Sequence, residues 1–491
     1  MAQNNEAIEP LWTGAQAIAA VGGRGSSDWR ARGVSIDSRT VAPGELFVAV
    51  RGLSSDGHAY VAAAIARGAS AALVDHVPDG VPQDAPLLMA EDSQTGLERL
   101  GAAARQRTSA KIIAVTGSAG KTGTKEMLHA ALGRQARTHA SEASYNNLWG
   151  VPLSLARMPA ASEFGVFEIG MNHSGEITPL TRLVRPHAAI VTTIAPAHIG
   201  HFNALTEIAE AKAEIFLGLE PGGIAIINQD NAFFDLLSKR ARDAGAAQVL
   251  GFGTAQDAAA RVIKAVQHAD CACVYADICG QKLTYKIGLS GVHWVMNSLA
   301  VLTAIQALGG DLALAAIALA GMVPLQGRGL RHQVHLQDGE FTLIDESYNA
   351  NPGSMQAALQ SLSAQTLQGR GRRIAVLGDM GELGQDAVRY HTELAKTIAD
   401  GHIHKTFTTG AHMQELHGAL PPDLRGEHAG DSKALIAPLL AAVRPGDVVM
   451  VKGSHSSAMG VIVETLLAQS DRLNNGGKTL RPAKMGDQDA L

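Results

Sequence analysis

KIIAVTGSAGKTGTKEMLHAAL, residues 111–132, decides the fold. An apolar run over 111–115 reads as a buried strand, Gly117-Ser118-Ala119-Gly120 as a tight turn, and Lys121 as the start of a helix. Glycines let successive backbone N–H groups face phosphate oxygens, and the helix N-terminus behind them adds partial positive charge. On this reading Thr116, Gly117, Ser118, Ala119, Gly120, Lys121 and Thr122 bind ATP. Lys121 neutralises the β- and γ-phosphates and Thr122 offers its hydroxyl to Mg²⁺. Thr116 stands where the longer form of this loop has its first glycine, so the motif is the shorter GxxGKT form.

Downstream, FGVFEIG, HAAIVTTI, a helix over 207–218 and GGIAIINQD continue the alternation of strand and helix. That predicts an α/β fold with a parallel sheet covered on both faces, a P-loop ATPase-like central domain over 87–325. Upstream, GELFVAV (44–50), a helix over 60–68 and SAALVDH (70–76) form a smaller α/β unit, 1–86, closed by the linker-like DGVPQDAP. Beyond 326, FTLIDES, RRIAVLGDMGELG, KTFTTG and GDVVMVKGS predict a Rossmann-like last domain, 326–473. The polar, aperiodic 474–491 reads as a disordered tail. Three domains suit 491 residues at roughly 100–200 per domain.

The composition excludes several classes. Lys plus Arg number 41 against 46 acidic residues, without the dense basic run that wraps nucleic acid. The start, MAQNNEAIEPLW, lacks the pattern of a secretory signal, and the longest apolar stretch, 312–325, is too short to span a bilayer and contains Pro324. A cytoplasmic enzyme without membrane insertion is expected. Cys271, Cys273 and Cys279 lie in the strand-like CACVYADIC and read as free thiols, since zinc needs a fourth ligand and other spacing.

Three further residues fit a metal site. Glu168 ends the strand FGVFEIG, His198 follows VTTIAP, and Lys212 lies on EIAEAKAEIF. In open α/β sheets, ligands bind beyond the carboxyl ends of strands, which puts Glu168 and His198 on the rim of the phosphate loop. Read singly, each also fits a structural or solvent-facing role.

Taken together, TGSAGKT, FEIGMNHSGEI and AHIGHF with AKAEIF resemble the central domain of the Mur ligases, the ATP-dependent enzymes that build the peptide stem of peptidoglycan. The resemblance covers the chain except its tail. It implies that Glu168, His198 and a carbamylated Lys212 hold Mg²⁺, with Lys121, His198 and Lys212 catalytic. A carbamate would turn a repelling ammonium into an oxygen donor. DSRTVAPGELFVAVRGLSSDGH (37–58) looks like the family's uridine-nucleotide-binding domain; the resemblance gives precursor contacts to Ser38, Arg39, Asn146 and Asn147. IDESYNANPGSM (344–355), VLGDMGELG (376–384) and NHSGEI (172–177) look like the branch that adds D-alanyl-D-alanine to a UDP-N-acetylmuramoyl-tripeptide. The last domain would bind that amine. By the same resemblance Asn297, Arg328, Asp345 and Asn349 contact ATP, although Asp345 also fits a turn cap. The chain departs from the family pattern at Ser144, Trp294 and His455, all positions where the family carries Asn or Arg; the last leaves a carboxylate contact either to His455 itself or to another cation such as Arg331.

The reaction implied is amide formation through an acyl phosphate, by a monomer. Gly327 and Gly329 around Arg328 predict a hinge, with the last two domains apart when no ligand is bound. Two readings compete: a diaminopimelate- or lysine-adding ligase, the first of which would carry an Asp-Asn-Pro-Arg motif that does not occur here, and a P-loop regulatory ATPase or non-catalytic nucleotide-binding scaffold without an amine substrate.

Overall fold

A computed structural model describes residues 9–52, 55–196, 199–367 and 369–474, with side chains to 471. Three main sheets follow one another along the chain. The first has five strands in the order Arg24–Gly25, Leu87–Met89, Ala71–Val74, Glu45–Val48 and Gly33–Ser35, all parallel except the first pair. Leu87–Met89 lies within this sheet, so the unit runs past the expected boundary at residue 86. DGVPQDAP is thus a crossover between neighbouring parallel strands of one unit.

The central sheet has nine strands. Lys111–Thr116 lies between Phe164–Glu168 and Ala188–Val191, parallel to both. Its side chains alternate between two cores. Ile113 and Val115 face the helices Lys121–Gly133 and Val292–Ala307. Ile112 and Ala114 face Gly150–Ala156, Ile177–Val184 and Leu205–Ala213. Burial on both faces is what makes this strand read as a continuous apolar run rather than an alternating one. Each such isoleucine contributes about 2 kcal/mol. At the far edge, Ala260–Gln267, Ala272–Ile278 and Gln281–Ile287 form an antiparallel extension. The expected alternation of the cysteine segment holds: Ala272, Val274, Ala276 and Ile278 are buried while Cys273 is exposed, and all three cysteines are free thiols.

The last sheet has six strands, in the order Leu330–Leu336, Gly339–Glu346, Val448–Lys452, Arg373–Gly378, Lys405–Thr409 and Arg425–Ala429. Only the first pair is antiparallel. Separate cores lie on its two faces. Asn474 ends the final helix, Gly460–Asn474, and the rest of the expected tail, 475–491, lies outside the described residues.

The first unit is fastened to the second. Trp12 Nε1 donates to the Ala156 carbonyl at 2.8 Å, and Leu153 and Ala156 of the middle unit pack into the first unit's core. The last unit also lies against the middle one, contrary to the separation that the hinge glycines suggest. Asn351 Nδ2 donates to the Ser118 carbonyl at 3.2 Å, Tyr348 Oη to Ser144 Oγ at 2.8 Å, and Arg331 Nη1 to the Ala269 carbonyl at 2.7 Å. These bonds bring the two units together at several separated points, so a flexible linker alone does not set their arrangement. Among the described residues, no helix is long and apolar enough to cross a membrane.

Candidate active site

The phosphate loop owes its shape to glycine at two places. Gly117 has φ +150°, and a Cβ there would lie 1.8 Å from Thr192 Oγ1. Gly120 has φ +81°, and a Cβ there would lie 3.0 Å from Asn297 Oδ1. Thr192, on the segment after Ala188–Val191, braces the loop by donating to the Ala119 carbonyl at 2.5 Å. Ser118 N donates to the Thr193 carbonyl at 2.9 Å, and Ser118 Oγ accepts from Ala195 N at 3.0 Å. The Lys121 ammonium curls back to the Gly117 carbonyl at 2.9 Å.

A buried polar cluster lies beside the loop. Thr122 Oγ1 donates to Glu168 Oε2 at 2.8 Å, and Asn146 Nδ2 donates to Glu168 Oε1 at 2.7 Å. Glu168 is 1% exposed, as is Lys212. Burial pushes the Lys212 ammonium well below the usual lysine range, and the charge of Lys121 pushes it the same way. Among the described residues Lys212 Nζ has no hydrogen-bond or ion-pair partner. Burial and the charge of Lys121 both favour the neutral amine over the ammonium. Lys121 is lowered too, by burial first; Arg328 adds to that and Glu168 opposes it. The fold therefore gathers Thr116–Thr122, Asn146, Glu168, Lys212, Asn297 and Arg328 around one rim. His198 lies outside the described residues.

The other expected residues have defined local work. Asp345 is 1% exposed. Its Oδ2 accepts from Gly327 N at 2.8 Å, and its Oδ1 from Ser347 Oγ at 2.6 Å and Ser347 N at 3.1 Å. The carboxylate thus pins the hinge turn, close to the turn-capping alternative. Arg328 stacks on Tyr348, 4.1 Å from the ring centroid. Asn349 Oδ1 accepts from Ala350 N at 2.8 Å. Asn147 Oδ1 accepts from Gly150 N at 2.9 Å, where the helix Gly150–Ala156 begins. Ser38 and Arg39 follow the strand Gly33–Ser35, with Arg39 paired to Asp37 at 2.9 Å. That strand connects to the Asn146 loop through Arg157, whose Nε donates to the Val34 carbonyl at 2.6 Å and whose Nη1 meets Glu142 Oε2 at 2.5 Å.

The three departures also find places. Ser144 is the cross-unit partner of Tyr348. Trp294 packs over Gly123, where a Cβ would lie 2.4 Å from its ring. His455 is exposed on the turn His455–Ser457. Arg331 spends its guanidinium on Ala269 and Gln365, each at 2.7 Å, so it is not a free substitute cation.

Two buried lysines escaped the sequence reading. Lys125 Nζ, fully buried, donates to the carbonyls of Ser141 at 2.6 Å and Ala143 at 3.0 Å, fixing the loop that carries Ser144 and Asn146. Lys452 ends a strand of the last sheet and donates to the Asn349 carbonyl at 2.9 Å. Its signal was a lone charge between an apolar run and a glycine in VVMVKGS.

Comparison with known proteins follows the same division of the chain. The Mur ligase middle domain matches residues 115–305, the Mur ligase glutamate ligase domain 330–455, and the Mur ligase family catalytic domain 30–95. The chain is 34% identical over 447 residues to the UDP-N-acetylmuramoyl-tripeptide–D-alanyl-D-alanine ligase of Escherichia coli, covering 88% of this chain and 93% of that one. It is 33% identical over 440 residues to the enzyme of the same name from Bacillus subtilis, covering 89% and 93%. A crystal structure of MurF from Acinetobacter baumannii superposes with a TM-score of 0.80 at 28% identity, covering 94% of this chain and 99% of that one.

Proposed function

The chain belongs to the Mur ligase family, and from that premise we propose that it joins D-alanyl-D-alanine to UDP-N-acetylmuramoyl-tripeptide at the expense of ATP. The observation that carries the reading is the Thr122–Glu168–Asn146 cluster set against a glycine-shaped phosphate loop. The likeness to the Escherichia coli and Bacillus subtilis ligases, over nearly their full lengths, supplies the substrates.

A carboxylate is a poor acylating agent because oxide cannot leave. Attack of a carboxylate oxygen on the γ-phosphorus forms an acyl phosphate and releases ADP. The amine nitrogen then attacks the acyl carbon, phosphate departs with the bonding pair, and the ammonium proton is lost. This chain's part is mostly placement and charge. On this reading Lys121 offsets charge on the β- and γ-phosphates, and loop N–H groups cradle them. Arg328, set against the Tyr348 ring, brings a second cation toward the same rim.

Mg²⁺ fits the donors present. Thr122 and Glu168 supply hard oxygens, buried and already in mutual contact. The buried amine of Lys212, its pKa lowered by burial, suits addition to CO₂, forming a carbamate and releasing a proton, which would add two more oxygens. His198 joins this set by resemblance. When bound, the ion supplies charge neutralisation at the transferring phosphoryl group. Both ATP and a nucleotide-linked precursor suit a cytoplasmic reaction. A monomer suffices, because the gathered residues all come from one chain.

The acyl phosphate is open to test with precursor carrying ¹⁸O in its free carboxylate. One labelled oxygen is expected in the phosphate released. Unlabelled phosphate, formed alongside amide, would rule out this route.

A further inference from the structure

Two glycines meet back to back where the middle and last units touch. Gly200 N donates to the Glu382 carbonyl at 2.8 Å. A Cβ on Gly200 would lie 2.8 Å from Gly384 N and 3.1 Å from the Glu382 carbonyl oxygen. A Cβ on Gly384 would lie 2.8 Å from Gly200 Cα. The exclusion is reciprocal and involves backbone atoms, which have no rotamer with which to yield. The segment opposite Gly200 is also wound unusually: Glu382 has φ +60° and Gly384 φ +57°. A left-handed non-glycine residue such as Glu382 persists only where its surroundings fix it. Beside this contact, Ile199 packs against both the middle-unit core that contains Ile112 and Ala114 and a core of the last unit.

We propose that Ile199, Gly200 and Gly384 form a latch that holds the last domain closed on the middle one during the reaction. The proposal rests on the ligase reading above, since closure matters there for keeping water from the acyl phosphate. Its elements suit a reversible contact. The latch is one backbone hydrogen bond, one apolar plug and a close approach that only paired glycines permit. The middle-domain half, Ile199–His201, continues directly from position 198, the expected metal-ligand position. At about 3.8 Å per residue, Gly200 cannot shift far without pulling on that position. Docking of the last domain and readiness of the middle-domain site are therefore coupled through a short piece of chain. Ile199, Gly200 and Gly384 are positioning residues.

The test uses the full-length enzyme with its precursor, ATP and D-alanyl-D-alanine. Gly200→Ala and Gly384→Ala are compared with wild type and with Gly418→Ala, a glycine with open space around it. Two quantities are read: phosphate released per amide formed, and the radius of gyration by solution scattering with an ATP analogue and precursor. Wild type and Gly418→Ala are expected to release one phosphate per amide. The latch variants are expected to release a severalfold excess of phosphate and to remain more extended. The double variant should be no worse than the worse single one, because either Cβ alone breaks the same contact. Gly384→Asn separates backbone strain from the clash, since Asn tolerates the left-handed conformation but still carries a Cβ. Ile199→Ala adds no atom, and is expected to open the latch if the glycine variants fail to fold. One phosphate per amide and unchanged scattering in folded variants would overturn the latch. A wild-type enzyme that makes no amide would defeat the ligase reading instead, and scattering would still decide the latch.

Discussion

Thr122 donates its hydroxyl hydrogen to Glu168 across 46 residues of sequence, at 2.8 Å and in a buried setting. One residue lies in the first turn of the helix after the phosphate loop, and the other ends the strand that pairs with the one before the loop. The register of those two strands therefore sets the oxygen pair on which the proposed chemistry depends.

Lys121 is the simplest place to test the phosphate loop. Its ammonium folds back over the turn to the Gly117 carbonyl. Removing it in Lys121→Ala leaves charge on the β- and γ-phosphates uncompensated and is expected to lower turnover by about hundreds-fold. Steady-state kinetics measure this. Turnover within a few-fold of wild type would remove Lys121 from the mechanism.

Lys212 is expected to need CO₂. Burial lowers its pKa below the usual lysine range, which favours the neutral amine, and more of it forms as pH rises. Enzyme freed of CO₂ should lose activity and regain it with bicarbonate. Lys212→Ala should fall on the order of a hundred-fold, as for loss of a metal-site group, and recover partly with small added carboxylates. Activity indifferent to both bicarbonate and the substitution would rule out the carbamate.

Arg328 presents a planar fork over the Tyr348 ring, 4.1 Å from its centroid. Arg328→Lys keeps the charge but loses the stack and the fork. The KM for ATP is expected to rise about ten-fold, near 1.4 kcal/mol, with a smaller change for the dipeptide. Equal shifts for both substrates would make Arg328 a structural element of the hinge alone.

His139 gives the fold an acid-sensitive point. Burial lowers its pKa from 6.5 to about 4, while its Nε2 contacts the Ser154 carbonyl at 2.8 Å. The unfolded chain thus binds the proton more readily. Stability falls as pH drops from 6.5 and the loss levels off below about 4, reaching about 3 kcal/mol. Denaturant titrations across that window should show a shallower slope in His139→Gln. An unchanged slope would mean His139 carries none of it.

The turn of the phosphate loop was legible because its needs are local: a strand, two glycines, a lysine and a helix start within twelve residues, 111–122. Glu168 was legible from its place at a strand end. What braces the loop was not. Thr192 reads as an ordinary strand residue, and its clash with a Cβ at Gly117 exists only once the two strands pair. Lys125 reads as a helix-surface lysine, yet its long stem carries the ammonium to two carbonyls of a distant loop. Asp345 matched a nucleotide position by resemblance, while its carboxylate partners are set by the hinge turn. DGVPQDAP looked like a domain linker because proline and glycine mark loops of every kind; strand pairing shows that this one lies inside the first unit.

One measurement bears most directly on the account: phosphate release by the purified enzyme with UDP-N-acetylmuramoyl-tripeptide and ATP, offered D-alanyl-D-alanine. Phosphate should appear only when all three are present, matched one for one by pentapeptide product, and the dipeptide precursor with diaminopimelate or lysine should give none. ATP turnover without an amine, or amide formed from the dipeptide precursor instead, would contradict it.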